Sequence, residues 1–494
     1  MAEAPSPARI SRLVNPTDRS YFSPARHGAV ELKIFGAVLP WPKTPVPVAV
    51  RLIRHVPTLA RVRVTPTGAG ETRARRRTRR FVRRGLVWSA AVLCSGALSA
   101  ALIAATANAT PEAQPGLVTG PGWRATKEIP GPVPRGPIAD TRWLSLGTVP
   151  GKGTRWEGMS RSALLDLHQL SLPNGAVAAG AGGRWNYAWP RDSAFVAAAL
   201  ARTAHCSEAL QALTFLKNVQ REDGGFEARY LLDGSGPPDD RARQSDGAAW
   251  ALWAEWEVSR SCGDAGAPAS LRSLLDHATN FALHVTDDGR ELPPPSPDYW
   301  EVGVSRTSLG TVAPMLAGLQ ASQKMYAAVG ERALAQRSGA AALRLGALTN
   351  ERFEDGWERF GSAGFGGGDG LDASVTFLMP PFVQSPALHA VEAWMHYQSD
   401  ALRPAGGLAP GAEWKQDGIS WTPETALVAY TAAMSGRPEI SARWMDWLNE
   451  HRAPGGSLPE KVLATGAPAG PAPLAWTAAL VVLTSAELET VHRP

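Results

Sequence analysis

The chain has 494 residues, of which 44% are hydrophobic and 18 are Trp, enough to build a sizeable core and too much for a disordered protein. Its formal charge of +5 is unevenly placed: residues 1–109 hold 18 Lys and Arg against 4 Asp and Glu, while residues 110–494 hold 32 against 41. The basic balance therefore belongs to the N-terminal segment. The acidic remainder is a poor holder of a phosphate backbone, so no nucleic-acid partner is expected.

Residues 1–84 are rich in Pro and Arg, lack a sustained hydrophobic period, and read as a disordered basic segment. They end in eight arginines between Arg73 and Arg84, followed by an uncharged apolar run over 85–107. At about 1.5 Å per residue such a run makes a helix of roughly 34 Å, enough to cross a bilayer core of about 30 Å. An arginine cluster before the run keeps the N-terminus inside the cell, so the rest of the chain is expected outside. Two forms follow: a transmembrane anchor holding an extracellular domain, or a signal helix cleaved near Ala107-Asn108-Ala109. Residues 110–155 are rich in Gly and Pro and read as a linker.

From 156 to 494 the pattern changes to Ala- and Leu-rich blocks of helical period. About twelve are expected, near 160–171, 193–204, 208–220, 246–260, 268–284, 308–327, 331–349, 371–378, 385–400, 422–434, 438–450 and 474–487. Strand alternation is not convincing, and no fixed repeat supports a solenoid. Twelve helices joined by loops of alternating length fit an all-α (α/α)6 toroid. Its long, chemically rich loops would then gather at one rim, where a site should be sought. Cys206 and Cys262 fall just past the helical stretches 193–204 and 248–259, which would end on a shared rim. A disulfide between them is one expectation, and two buried thiols are the other.

The loop Arg184-Trp185-Asn186-Tyr187-Ala188-Trp189-Pro190-Arg191-Asp192 crowds aromatics and an Arg-Asp pair ahead of a helix. Aromatic rings cover the C–H faces of sugars, and a fixed Arg-Asp pair hydrogen-bonds their hydroxyls. Gln244-Ser245-Asp246-Gly247 repeats this arrangement. The plainer alternative is that Asp192 and Asp246 merely cap helices and the aromatics are core. Glu301, in Pro297-Asp298-Tyr299-Trp300-Glu301, and Glu460, in Ser457-Leu458-Pro459-Glu460, are candidates for the two carboxyl groups that glycosidic cleavage requires.

These motifs, with Ser162-Ala163-Leu164-Leu165, Asn174-Gly175-Ala176-Val177, Leu371-Asp372-Ala373-Ser374 and Pro473-Leu474-Ala475-Trp476, run in the order and spacing of a known family. The chain resembles glycoside hydrolase family 15, the glucoamylase-like enzymes, from about Arg161 to Leu483. The resemblance implies an (α/α)6 toroid that removes glucose from non-reducing ends of α-glucans with inversion. It implies Glu301 as general acid and Glu460 as general base. Arg191 and Asp192 would hold glucose hydroxyls against Trp185 and Trp189, while Gln244, Asp246, Asp298 and Trp300 line the pocket or support the acid. The substrate implied is an α-linked glucan or glucose disaccharide, with no metal or cofactor, and Gly366-Gly367-Gly368 lacks the Lys of a phosphate loop.

Three departures bear on the leaving-group side. Val302 stands where the family often has a second acid, the loop between Ala179 and Trp185 is short, and Lys415 is the only cation within 412–420. Trehalase or α-1,6-glucan hydrolysis is therefore an alternative, as is a catalytically silent polysaccharide-binding toroid.

Overall fold

The structure is a computed structural model that describes residues 137–491 apart from 264–268 and 362–369. The expected basic segment 1–84 and apolar helix 85–107 lie outside the described residues, as does most of the expected linker. Among the described residues, no helix is long and apolar enough to cross a membrane. The described end of the linker stretch holds a short helix, α1 (Pro137–Leu144). Its Trp143 is buried between the rings of His168 and His205, with centroids 4.0 and 3.9 Å away.

Twelve further elements alternate between an outer and an inner ring. The outer helices are α2 (Glu157–Leu170), α4 (Cys206–Val219), α6 (Arg272–Val285), α8 (Arg332–Phe353), α9 (Leu388–Asp400) and α11 (Pro438–Glu450). The inner helices are α3 (Pro190–Arg202), α5 (Asp246–Ser261), α7 (Leu309–Ala328), α10 (Thr422–Met434) and α12 (Ala475–Val491), with a 3-10 helix over Ala373–Leu378 as the sixth member. Each inner element packs on the next and α12 returns to α3, so the ring closes as an (α/α)6 toroid.

The sequence explains the two layers. α7, α10 and α12 are apolar on every side, as befits helices surrounded by others, whereas α6 and α11 concentrate their apolar residues on one face. Small residues let inner helices approach closely: a Cβ added at Gly318 of α7 would meet Ala249 Cα of α5 at 2.8 Å. The block expected over 371–378 is a 3-10 helix of six residues. Met379-Pro380-Pro381 stops it, because proline removes the donor and disfavours helical geometry in the residue before it.

Cys206 and Cys262 form a disulfide that joins the start of α4 to the residue after α5. It closes a loop with a sequence separation of 56. In the chain-entropy account such a link contributes about 4 kcal/mol. Replacing both cysteines by serine should therefore lower the denaturant midpoint markedly without changing the fold. An unchanged midpoint would show that the link adds nothing to stability.

Candidate active site

The site lies where the inner elements begin. Pro190 in the first turn of α3 presets the helical backbone, and the helix starts at Pro190 with Trp189 as its N-cap. Asp192 is thus inside the first turn rather than at the cap, and Asp246 likewise follows the N-cap Ser245 of α5. Neither aspartate is the N-cap residue of its helix, and both carboxyls lie beside Arg191.

Arg191 is 4% exposed and organises the cluster. Its Nη1 donates to Gln244 Oε1 and Asp246 Oδ2, each at 3.2 Å. Its Nη2 lies 3.6 Å from Glu301 Oε1, and its Nε 3.9 Å from Asp192 Oδ2. Trp250 donates to the same Asp246 oxygen at 3.1 Å, and the Trp476 ring centroid lies 5.1 Å from the guanidinium carbon. Burial pushes Asp192 up to about 7, against the pull of Arg191.

Glu301 ends a turn in which its N–H donates to Asp298 O at 2.8 Å. Its φ of +56° is left-handed, a conformation that costs a non-glycine residue energy and is found where surrounding structure imposes it. That structure is the segment before it. Asp298, fully buried, accepts from Arg359 Nη2 and Ser308 Oγ, both at 2.6 Å, and from Trp300 N at 3.0 Å. Arg359 also pairs with Asp372 at 2.8 Å and lies 3.9 Å from the Trp300 ring centroid. Tyr299 donates its hydroxyl to Pro410 O at 3.2 Å and accepts from Ser374 N at 3.1 Å. Asp298 and Trp300 are therefore the base on which Glu301 stands.

Glu460 comes from a separate loop, beside a small antiparallel ribbon of β1 (Ser420–Trp421), β2 (Lys461–Val462) and β3 (Pro468–Ala469). Its N–H donates to Pro471 O at 2.9 Å, and its carbonyl accepts from Thr422 N at 3.1 Å. Gly470 has φ +74°, and a Cβ there would meet Glu460 Oε2 at 2.5 Å, so only glycine lets the carboxylate lie where it does. Lys461 Nζ stands 3.1 Å from Glu460 Oε2 and 4.3 Å from the Trp421 ring centroid. Burial raises Glu460 above the usual carboxylate range; Lys461 and a hydrogen bond from Trp185 oppose that shift, and the charge of Glu301 adds to it. The two glutamates therefore sense one another across the cluster.

Trp185 ends a 3-10 turn (Gly183–Trp185) beside Lys461. Trp189 is buried beneath Arg229, whose guanidinium carbon lies 5.0 Å from its ring centroid. Arg191, Asp192, Gln244, Asp246, Glu301, Glu460 and Trp185 thus come together in one network, with Trp189, Asp298 and Trp300 packed around it. Lys415 lies 5.1 Å from the Trp414 ring centroid, which in turn meets Trp300 edge to face at 4.7 Å.

Three groups that sequence reasoning did not single out hold this arrangement. Arg359 neutralises Asp298 and Asp372, and Lys461 pairs with Glu460. Arg241 Nη1 lies 2.6 Å from Glu301 Oε2 and is itself bridged through Asp239 to Arg229. Of the three, Lys461 alone had a local signal, as the neighbour of Glu460. Two clefts, of about 680 and 700 Å³, lie outside this network and contain neither Glu301 nor Glu460.

Behind the Glu460 loop, Ser457 Oγ donates to Asp166 Oδ1 at 2.9 Å. Burial raises Asp166 from 3.8 to about 7. The folded chain therefore binds this proton more tightly than the unfolded chain. Its contribution to stability is full below about pH 4, falls as pH rises, and is gone above about pH 7. Asp192 acts in the same direction. The melting temperature should accordingly be higher at pH 5 than at pH 8, and Asp166→Asn should reduce that difference. Parallel wild-type and variant curves would remove Asp166 from the account.

No family model matches the sequence, and no curated protein sequence matches it. Solved structures do share its fold. A glycosidase variant E335A in complex with glucose superposes with a TM-score of 0.58 at 19% identity, over 67% of this chain and 96% of that one. A bacterial glucoamylase complexed with acarbose gives 0.58 at 17% identity, over 71% and 58%. Glucoamylase from Saccharomycopsis fibuligera gives 0.56 at 14% identity, over 68% and 94%.

Proposed function

We propose that this chain, which carries the toroid seen in glucoamylases, is an exo-acting, inverting α-glucosidase that releases glucose from α-glucans. One observation carries the reading: Glu301 and Glu460, from loops far apart in sequence, lie close enough for one to feel the other's charge, with Glu301 beside the buried Arg191. The acarbose and glucose complexes of similarly folded proteins support a sugar in such a toroid.

In this reading Glu301 gives its proton to the glycosidic oxygen as the bond to C1 breaks. Glu460 takes a proton from a water whose oxygen bonds to C1 from the opposite face, leaving glucose with inverted configuration. Arg191 and Asp192 hold hydroxyls of the terminal glucose, and Trp185 and Trp189 shape the wall beside it. The ion pair with Lys461 and the hydrogen bond from Trp185 favour the charged form of Glu460 that a base needs. The arginine cluster before 85–107 supports export, with the toroid anchored outside the cell or released after Ala109. A disulfide at Cys206 and Cys262 suits that oxidising setting.

The test is glucose release by the full chain from maltose, maltotriose, isomaltose and trehalose, with the anomer of the product followed by NMR. Initial release of β-glucose is expected, and the preferred disaccharide separates glucoamylase from trehalase or α-1,6-glucan hydrolase. Initial α-glucose would overturn inversion. No release from any of the four would favour the polysaccharide-binding reading.

A further inference from the structure

Glu424, in the first turn of α10, belongs to none of the motifs that point to the site. It is 3% exposed, and its Oε2 is buried without a hydrogen-bond partner among the described residues. The helix start that carries it is strapped to the base segment: Thr422 donates its N–H to Glu460 O at 3.1 Å and its hydroxyl to Pro459 O. Its carboxyl accepts from its own backbone N–H and feels the charges of Glu460, Arg191 and Lys461, which come from two other elements of the site, while its own charge reaches Tyr397 of α9. Burial pushes Glu424 up to about 8, so it carries its proton at neutral pH.

A carboxyl that supports the fold alone would be expected to find a partner within it, since a buried polar atom left unpaired is costly. Here the unpaired oxygen belongs to a carboxyl within electrostatic reach of Arg191, which would hold the sugar, and Glu460, which would activate water. A protonated carboxyl offers one O–H donor together with acceptor lone pairs, which is what a sugar hydroxyl needs. In that form it also adds no second negative charge beside Glu460.

We propose that Glu424 is a sugar-binding residue of this site, exchanging hydrogen bonds with a hydroxyl of the bound glucose. The inference rests on the glucosidase reading for the identity of the sugar. It adds a specificity-determining group carried by the helix start that is strapped to the Glu460 segment.

The experiment compares wild type, Glu424→Leu and Glu424→Gln as full chains. It measures kcat and KM on maltose, calorimetric Kd for glucose, and thermal melting to verify folding. Glu424→Leu should raise KM and the glucose Kd about tenfold or more, as loss of a buried hydrogen-bonding partner would, with a much smaller change in kcat. Glu424→Gln keeps a donor and an acceptor and should restore most of the loss. Unchanged KM and Kd in a folded Glu424→Leu would overturn the proposal.

If Glu424→Leu does not fold, the pH dependence of glucose binding decides. Wild-type affinity should weaken as pH rises through about 8, and Glu424→Gln should lack that step. Glu460, Arg191, Lys461 and Tyr397 are common to both proteins, so identical profiles would overturn the role of Glu424. Hydrolysis with no dependence on Glu424 removes this inference alone. Glucose binding that depends on Glu424 without any hydrolysis keeps it and removes the glucosidase. A wild-type chain that neither binds nor cleaves overturns both.

Discussion

Glu301→Gln and Glu460→Gln should each lower kcat on maltose by about 10²–10⁴-fold, the range that one positioned acid or base supplies. The two variants should then part company on α-glucosyl fluoride, whose leaving group departs without a proton. The variant lacking the acid should recover much of its rate there, while the variant lacking the base should not, because water still needs activation. This comparison fixes the roles independently of resemblance. It is needed because burial raises Glu460, a direction that would suit an acid as well as a base held charged by Lys461. Recovery in Glu460→Gln alone would exchange the roles. Full activity in either variant would exclude that residue from the chemistry.

Arg359→Met should be among the most destabilising single changes in the toroid. Arg359 is 1% exposed and is paired with two carboxylates, Asp298 and Asp372, that are themselves fully buried. Methionine fills part of the volume under Trp300 but leaves both buried carboxylates without a countercharge, held only by neutral donors such as Ser308 and Ser374. Breaking a buried pair from one side costs about 3–5 kcal/mol, and two orphaned carboxylates place this change toward the upper end. Urea unfolding measures the loss. Because Asp298 anchors the turn ending in Glu301, kcat should fall as well, even where the variant is fully folded. Adding Asp298→Asn and Asp372→Asn should return part of the stability, since neutral amides no longer need the guanidinium. A midpoint within experimental error of wild type would show that the pair is not structurally important.

The twelve expected helical blocks correspond to the twelve members of the ring because each carries a sustained apolar stripe or an unbroken apolar run. The same signal fails where an element is short. α1, with eight residues among the prolines and glycines of the preceding segment, was read as linker, whereas the block over 371–378 was found but is a six-residue 3-10 helix before a pair of prolines. Glu301, Glu460, Arg191 and Asp192 were legible because each stands in a compact motif with its neighbours in sequence. Arg241 and Arg359 were not, since each meets its carboxylate across about sixty residues, a pairing that exists only once the ring is folded. Glu424 was hidden for a related reason: in sequence it is an acid in the first turn of a helix, the usual solvated place for one.

The return of α12 onto α3 also orders events during synthesis. Arg202 and Glu487, which pair at 3.2 Å, are separated by 285 residues, so the first inner helix waits for the last before it gains its second neighbour. Until residues 475–491 leave the ribosome, the apolar sides of α3 and α10 that α12 will cover face an unfinished gap. Local helix pairs can form early, but closure is a late, long-range step of the kind that slows folding and exposes sticky surface. A nascent chain stalled before residue 475 should therefore engage chaperones that the finished chain releases.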